Sequence, residues 1–140
     1  MPGPEEVLSV VREWIQKAEN DLTNAAHALK LGAKCPTDTV CFHAEQCVEK
    51  YLKAYLSLAA IDFPKTHDIR LLLALFPKDA RPELALEDQR NLTAYATGAR
   101  YPGWGEISLA EARRAVVLAR RVRREIRRLL PKEALRRGRG

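Results

Sequence analysis

One stretch of the chain, residues 40–58, constrains the fold more than any other; it reads VCFHAEQCVEKYLKAYLSL. Drawn as a helix, it places its apolar residues in two adjacent rows instead of one narrow stripe. One row contains Cys41, Ala44, Val48, Leu52 and Tyr55, and the other contains Cys47, Tyr51, Ala54 and Leu58. Because a helix with so wide an apolar surface needs neighbours on several sides, we predict that it is the central helix of a bundle.

The polar residues of this helix are ordered as well. They follow one another at spacings of three and four residues along one stripe, namely His43, Gln46, Lys50 and Lys53. Such a stripe is either the solvated side of a bundle helix or a polar strip that other helices close into a groove. The sequence leaves both interpretations open.

The rest of the pattern predicts helices on both sides of this one. Residues 5–30 repeat apolar side chains at threes and fours, with Asp21 beside the apolar stripe, where it either anchors a buried hydrogen bond or ion pair or marks the stripe's edge. A short helix follows, capped by Thr66 or Asp68, and another is expected from Pro82 to about Gly98. Residues 108–111 form a capping box that begins the last helix. The sequence therefore predicts an all-α fold, an antiparallel helical bundle over residues 1–131.

Charge is concentrated at the C-terminal end. Residues 113–140 contain eleven Arg and one Lys against two Glu, a net charge of +10 in a chain whose total is +6. A cationic helix on a mildly acidic body suggests an anionic partner, although long Arg stems can also simply cover apolar surface. We expect residues 132–140 to be a basic, disordered tail.

The three cysteines, Cys35, Cys41 and Cys47, are odd in number and form no C-x-x-C pair. Buried thiols are expected instead of a disulfide framework or a metal site. No apolar run is long enough to span a membrane, and the first residues lack the basic region and apolar core of a secretory signal. The expected location is the cytoplasm, with no membrane partner, and no cofactor is predicted.

Several short motifs occur in a particular order and spacing. They are W-x3-A-x2-D-L from Trp14, C-F-H-A-x-Q-x2-E-K-x-L-K-A from Cys41, the pair Thr66-His67, and Tyr95 followed by Arg100-Tyr101-Pro102. Together they resemble the HEPN family of small helical proteins. The resemblance implies an up-and-down four/five-helix bundle that forms homodimers and pairs with a minimal nucleotidyltransferase, in an arrangement like that of a toxin and its antitoxin. It also implies kinship with metal-independent ribonucleases, whose motif is an Arg, a polar residue and a His a few positions later.

The chain departs from that ribonuclease motif at one position. Arg90 and Asn91 match it, but Tyr95 stands where the His is expected, and no His follows Arg90 in the chain. Since a tyrosine has an ordinary pKa of about 10, it is a poor general base at neutral pH. We therefore predict a non-catalytic module that binds a nucleotide or RNA through its phosphates. The candidate binding residues are Arg90, Asn91, Arg100, Lys50, Lys53 and His43.

Two alternatives remain open. The chain could be a divergent ribonuclease in which Arg90 works with His43 or Tyr95. It could also bind nucleic acid nonspecifically through the arginine-rich last helix. Residues Arg100 to Pro102 could equally only fix the loop, and His43 could be a structural hydrogen-bonded residue.

Overall fold

The computed structural model describes residues 2–99 and 101–136. Within them the chain forms six α-helices: α1 (Pro4–Leu29), α2 (Thr37–Leu58), α3 (Ile69–Ala74), α4 (Leu86–Thr97), α5 (Leu109–Leu129) and α6 (Lys132–Leu135). A 3-10 turn, Gly32–Lys34, connects α1 to α2. The described residues contain no strand, and the predicted all-α bundle is confirmed. None of these helices is long and apolar enough to cross a membrane.

Side-chain contacts show the direction in which each helix runs. Along α1 and α2, Lys53 lies over the ring of Trp14 while His43 contacts Asp21, so these two helices are antiparallel. Helices α4 and α5 are also antiparallel, because Tyr95 contacts Glu111 and Asp88 contacts Arg114. The same argument makes α1 antiparallel to α5, since Glu19 contacts Arg123 and Arg12 contacts the chain just beyond α5. These directions give the up-and-down order predicted from the sequence.

Helix α2 is central, as its two apolar rows predict. It packs against α1, α3, α4 and α5. Most of both rows is fully buried, including Cys41, Val48, Tyr51 and Leu52, while Tyr55 and Leu58 at its C-terminal end are partly exposed. All three cysteines are free and buried, and burial raises the pKa of the Cys41 thiol to about 12.

The helix caps predicted at Asp68 and Ser108 are both present. The Asp68 carboxylate accepts a hydrogen bond from the Leu71 amide at 3.2 Å, and the Ser108 hydroxyl accepts one from the Glu111 amide at 3.0 Å. Only half of the capping box forms at α5, because the Glu111 carboxylate accepts a hydrogen bond from Tyr95. Glu111 thus connects α5 to α4 instead of closing its own helix end.

Two predicted boundaries differ from the structure. Helix α4 begins at Leu86 and not at Pro82. Pro82 is buried in a non-helical segment, and the Gln89 side chain donates to the Leu84 carbonyl at 2.8 Å, which keeps that segment outside the helix. The expected disordered tail does not begin at residue 132, because α6 packs on α1 with Ala134 buried. The end of the tail, residues 137–140, lies outside the described residues.

Candidate functional site

Arg90, the arginine of the ribonuclease-like motif, lies on the exposed side of α4. It lines a surface depression of about 330 Å³ between α4 and the start of α3, together with Asp68, Arg70, Leu86, Gln89, Thr93 and Ala94. Two arginines and one aspartate are therefore among the residues that line the same small volume. The neighbouring Asn91 is exposed but does not line this depression.

Tyr95, at the position of the motif His, points the other way. It is 4% exposed, and its hydroxyl donates a hydrogen bond to Glu111 at 2.5 Å. Burial, followed by the hydrogen bond to that carboxylate, raises the pKa of Tyr95 further above its ordinary value. A phenol in this position keeps its proton and connects α4 to α5.

The Tyr95→Phe variant is expected to lower the free energy of unfolding by about 1.5 kcal/mol, since it removes one hydrogen bond to a charged acceptor. Urea denaturation measures the difference. Tyr101→Phe is the matched control, because Tyr101 is 67% exposed. Equal stability of the two variants would contradict a structural role for the Tyr95 hydroxyl.

His43 and Lys50, two of the predicted binding residues, are paired with the same carboxylate. Asp21 Oδ1 lies 2.7 Å from His43 Nδ1, and Lys50 Nζ donates to Asp21 Oδ2 at 2.5 Å. Asp21 is buried, whereas about a quarter of the His43 side chain and a fifth of the Lys50 side chain are exposed. Of the two possibilities for Asp21, the structure confirms a buried ion pair between α1 and α2.

Lys53, the third cation of the polar stripe, belongs to a second cluster. Its ammonium donates to Glu49 at 2.7 Å and to the Thr66 carbonyl at 3.0 Å. The other Glu49 oxygen lies 2.9 Å from Nδ1 of His67, whose side chain is 55% exposed. The cations of the stripe are thus neither fully solvated nor free in an open groove, because the carboxylates of Asp21 and Glu49 pair with them.

Glu45 extends this cluster into the core. It is fully buried, accepts a hydrogen bond from Gln46 at 2.7 Å, and has one carboxyl oxygen without a hydrogen-bond partner among the described residues. Burial, then the negative charge of Glu49, raise the pKa of Glu45 well above its ordinary value. In its protonated form Glu45 can donate to Glu49, so the two carboxyl groups carry one charge between them.

A third group of polar residues lies along α5. Five arginines line one groove of about 420 Å³: Arg120, Arg123, Arg124, Arg127 and Arg128. Arg123 donates twice to the Glu19 carboxylate, at 2.8 and 2.9 Å, and Arg127 donates to the Tyr51 hydroxyl at 3.3 Å. The sequence pattern did not identify Glu19, because a partner 104 positions away gives no local signal.

The predicted site residues therefore divide into separate places. Arg90 lies in its depression on α4, His43 and Lys50 surround Asp21, and Lys53 is buried at Glu49. The lining of the depression includes neither His43 nor the two lysines. Arg100, the other predicted phosphate contact, lies outside the described residues.

The fold and these sites define the class of protein as an all-α bundle. Ion pairs in its interior join the helices, and arginines line the depressions on its outer faces. Across the described ranges, no cluster of three or more His, Cys, Asp or Glu side chains could hold a metal ion. The family model of the HEPN domain matches residues 11–129, and the chain belongs to the HEPN family.

A solved crystal structure has a similar fold. The protein TT1696 from Thermus thermophilus is 28% identical in sequence and superimposes with a TM-score of 0.68, over 86% of this chain and 98% of that one. No curated protein matches the sequence.

Proposed function

We propose that this HEPN protein is a non-catalytic binding module that takes a nucleotide or a short RNA at the depression around Arg90. The observation that carries the proposal is the environment of Tyr95, a buried phenol bonded to Glu111 at the position where a ribonuclease of this family needs its His. Among the described residues no His lines the depression around Arg90, so a phosphodiester bound there meets a cation but no imidazole.

The lining of the depression suits a nucleotide better than a bare anion. Arg90 and Arg70 offer guanidinium donors for phosphate oxygens, and Leu86 and Ala94 offer apolar contact for a sugar or base. Asp68 would repel an isolated phosphate, but its carboxylate can accept hydrogen bonds from ribose hydroxyls or from base amino groups. Because positive and negative side chains line one small depression, it favours a ligand that carries both phosphate groups and hydrogen-bond donors.

The Arg90→Gln variant is expected to bind labelled single-stranded RNA about tenfold more weakly than wild type, because a charge-assisted contact to phosphate contributes about 1.5–3 kcal/mol. Fluorescence anisotropy with RNA, and competition with ATP, measure the affinity. Lys78→Gln is the matched control, since it removes one exposed positive charge at another surface position. Unchanged affinity in Arg90→Gln would contradict the site.

Cleavage is measured on the same samples in the presence of EDTA. The wild-type protein is expected to leave the RNA intact. Cleavage that is lost in both Arg90→Ala and His43→Ala would overturn the non-catalytic assignment. It would favour a ribonuclease in which these two residues act together across a dimer.

The proposal extends to assembly. We propose a homodimer that pairs with a minimal nucleotidyltransferase, as a toxin pairs with its antitoxin, and membership of the HEPN family is what supports it. Light scattering on the purified protein tests the dimer. Co-expression with a nucleotidyltransferase encoded beside it, followed by purification through a tag on one partner, tests the pairing.

A further inference from the structure

We propose that α5 carries a second binding site, the arginine groove of residues 120, 123, 124, 127 and 128, which binds the phosphate backbone of double-stranded nucleic acid. It lies on a different helix from the depression at Arg90 and shares no lining residue with it. The proposal is independent of the function assigned to that depression.

The groove presents a regular row of unpaired cations. Arg120, Arg124 and Arg128 are exposed, and none of them has an acidic partner within the described part of the chain. Their spacing of four residues places successive side chains on one face, about 6 Å apart along the helix axis. Such a row can contact successive phosphates of one strand without rearrangement of the backbone.

The floor of the groove is held in place by the other helices. Arg123 is fixed on α1 by its two hydrogen bonds to Glu19, and Arg127 is fixed on α2 by its bond to the buried Tyr51. A guanidinium has five N–H donors, so both arginines keep donors for a ligand. Because these side chains are already ordered, binding would cost less conformational entropy than contact with five mobile surface arginines.

The composition of the lining identifies the partner class. All five lining residues are arginines, and none is apolar or aromatic. Protein interfaces usually have an apolar or aromatic centre, and an amphipathic helix that lies in a membrane surface inserts apolar side chains. Single-stranded nucleic acid usually stacks its bases on aromatic rings, which this groove does not offer. A row of guanidinium groups alone fits phosphates whose bases are paired and turned away.

The experiment compares the folded wild-type protein with a variant that carries Arg120→Gln, Arg124→Gln and Arg128→Gln. The probes are a labelled RNA duplex, a DNA duplex of the same sequence and each single strand, measured by anisotropy over a series of salt concentrations. The matched control carries Lys30→Gln, Lys34→Gln and Lys78→Gln, which removes the same number of positive charges from exposed positions elsewhere.

The arginine variant is expected to bind duplex at least about tenfold more weakly at low salt. Its slope of log affinity against log salt should fall by about three, since each lost phosphate contact releases about one counterion fewer. The lysine variant should keep both the slope and most of the affinity. RNA and DNA duplexes that bind alike would show that the backbone alone is recognised, and a preference for RNA would assign the 2′-hydroxyl to the contact.

Several results would overturn the proposal. They are no duplex binding by the wild type, an equal loss in the lysine variant, or tighter binding to single strands or to phosphatidylserine vesicles than to duplex. A loss of duplex binding in Arg90→Gln as large as that in the arginine variant would also overturn it, because the two sites would then be one.

Discussion

The Asp21→Ala variant is expected to unfold with a free energy about 3 kcal/mol smaller than that of the wild-type protein. The Asp21 carboxylate is buried and is the shared partner of His43 and Lys50. Its removal leaves the Lys50 ammonium without a counter-charge between α1 and α2. This value is at the low end of the range for broken buried ion pairs, because part of the Lys50 side chain reaches solvent.

Urea denaturation at neutral pH measures this loss, with Asp79→Ala as the control for an exposed aspartate. A second variant, Asp21→Ala with Lys50→Met, should recover part of the stability, since no unpaired charge then remains in the interface. A loss of less than about 0.5 kcal/mol in Asp21→Ala would mean that water replaces the carboxylate at no cost.

Replacement of Glu45 by Gln is expected to change how stability depends on pH. The folded-state pKa of Glu45 is raised by burial and by Glu49, so folding keeps a proton that the unfolded chain releases above its ordinary pKa. That contribution is fully present below the unfolded pKa and is lost as pH rises through the folded one. Between the unfolded-state and the folded-state pKa of Glu45, the free energy of unfolding falls by about 1.4 kcal/mol for each pH unit.

Glu49 acts in the opposite sense on the acid side. Burial alone would raise the pKa of Glu49, but hydrogen bonds from Glu45, Lys53 and His67 lower it below its ordinary value. Its contribution is therefore present above the unfolded pKa and is lost as pH falls through the folded one. The two windows meet at the ordinary pKa of a glutamate, so these two groups together favour maximum stability near that pH.

In Glu45→Gln an amide, which does not ionise, replaces the protonated carboxyl group. The decline of the free energy of unfolding with rising pH should therefore disappear, while its decline with falling pH remains. Denaturation at a series of pH values from about 2 to about 9 covers both limbs, since the acid limb lies below the ordinary glutamate pKa of about 4.3. The same series on His67→Gln separates the contribution of the imidazole that also binds Glu49. An alkaline decline that persists unchanged in Glu45→Gln would show that Glu45 is ionised in the folded state.

The sequence predicted those features whose cause is local. The two apolar rows of residues 40–58 identified the central helix, and the position of Asp21 beside an apolar stripe indicated a buried ion pair as one of two possibilities. The motifs around Trp14 and Cys41 identified the HEPN family. In each case the pattern lies within a few helical turns, where the helix period alone decides which side chains share a face.

The remaining features depend on which helices become neighbours. Glu111 was expected to complete a capping box, but the Tyr95 hydroxyl from α4 competes for its carboxylate. The cations of the polar stripe were expected to be available to a phosphate, but Asp21 and Glu49 neutralise them. The pair of Glu49 and Lys53 follows from their i, i+4 spacing on one helix, but a helix period cannot reveal Asp21 or Tyr95 as partners, because each comes from another helix.

The contact of α6 with α1 has a consequence for how the bundle opens. The Arg12 side chain donates to the Glu133 carbonyl at 2.9 Å, a contact between residues 121 positions apart. Because α5 already holds this end of the chain on α1 through Arg123 and Glu19, docking of α6 closes only a short further segment and adds a single turn of helix. We therefore expect α6 to dock last during folding and to detach first during local unfolding, while α1, α2, α4 and α5 stay assembled.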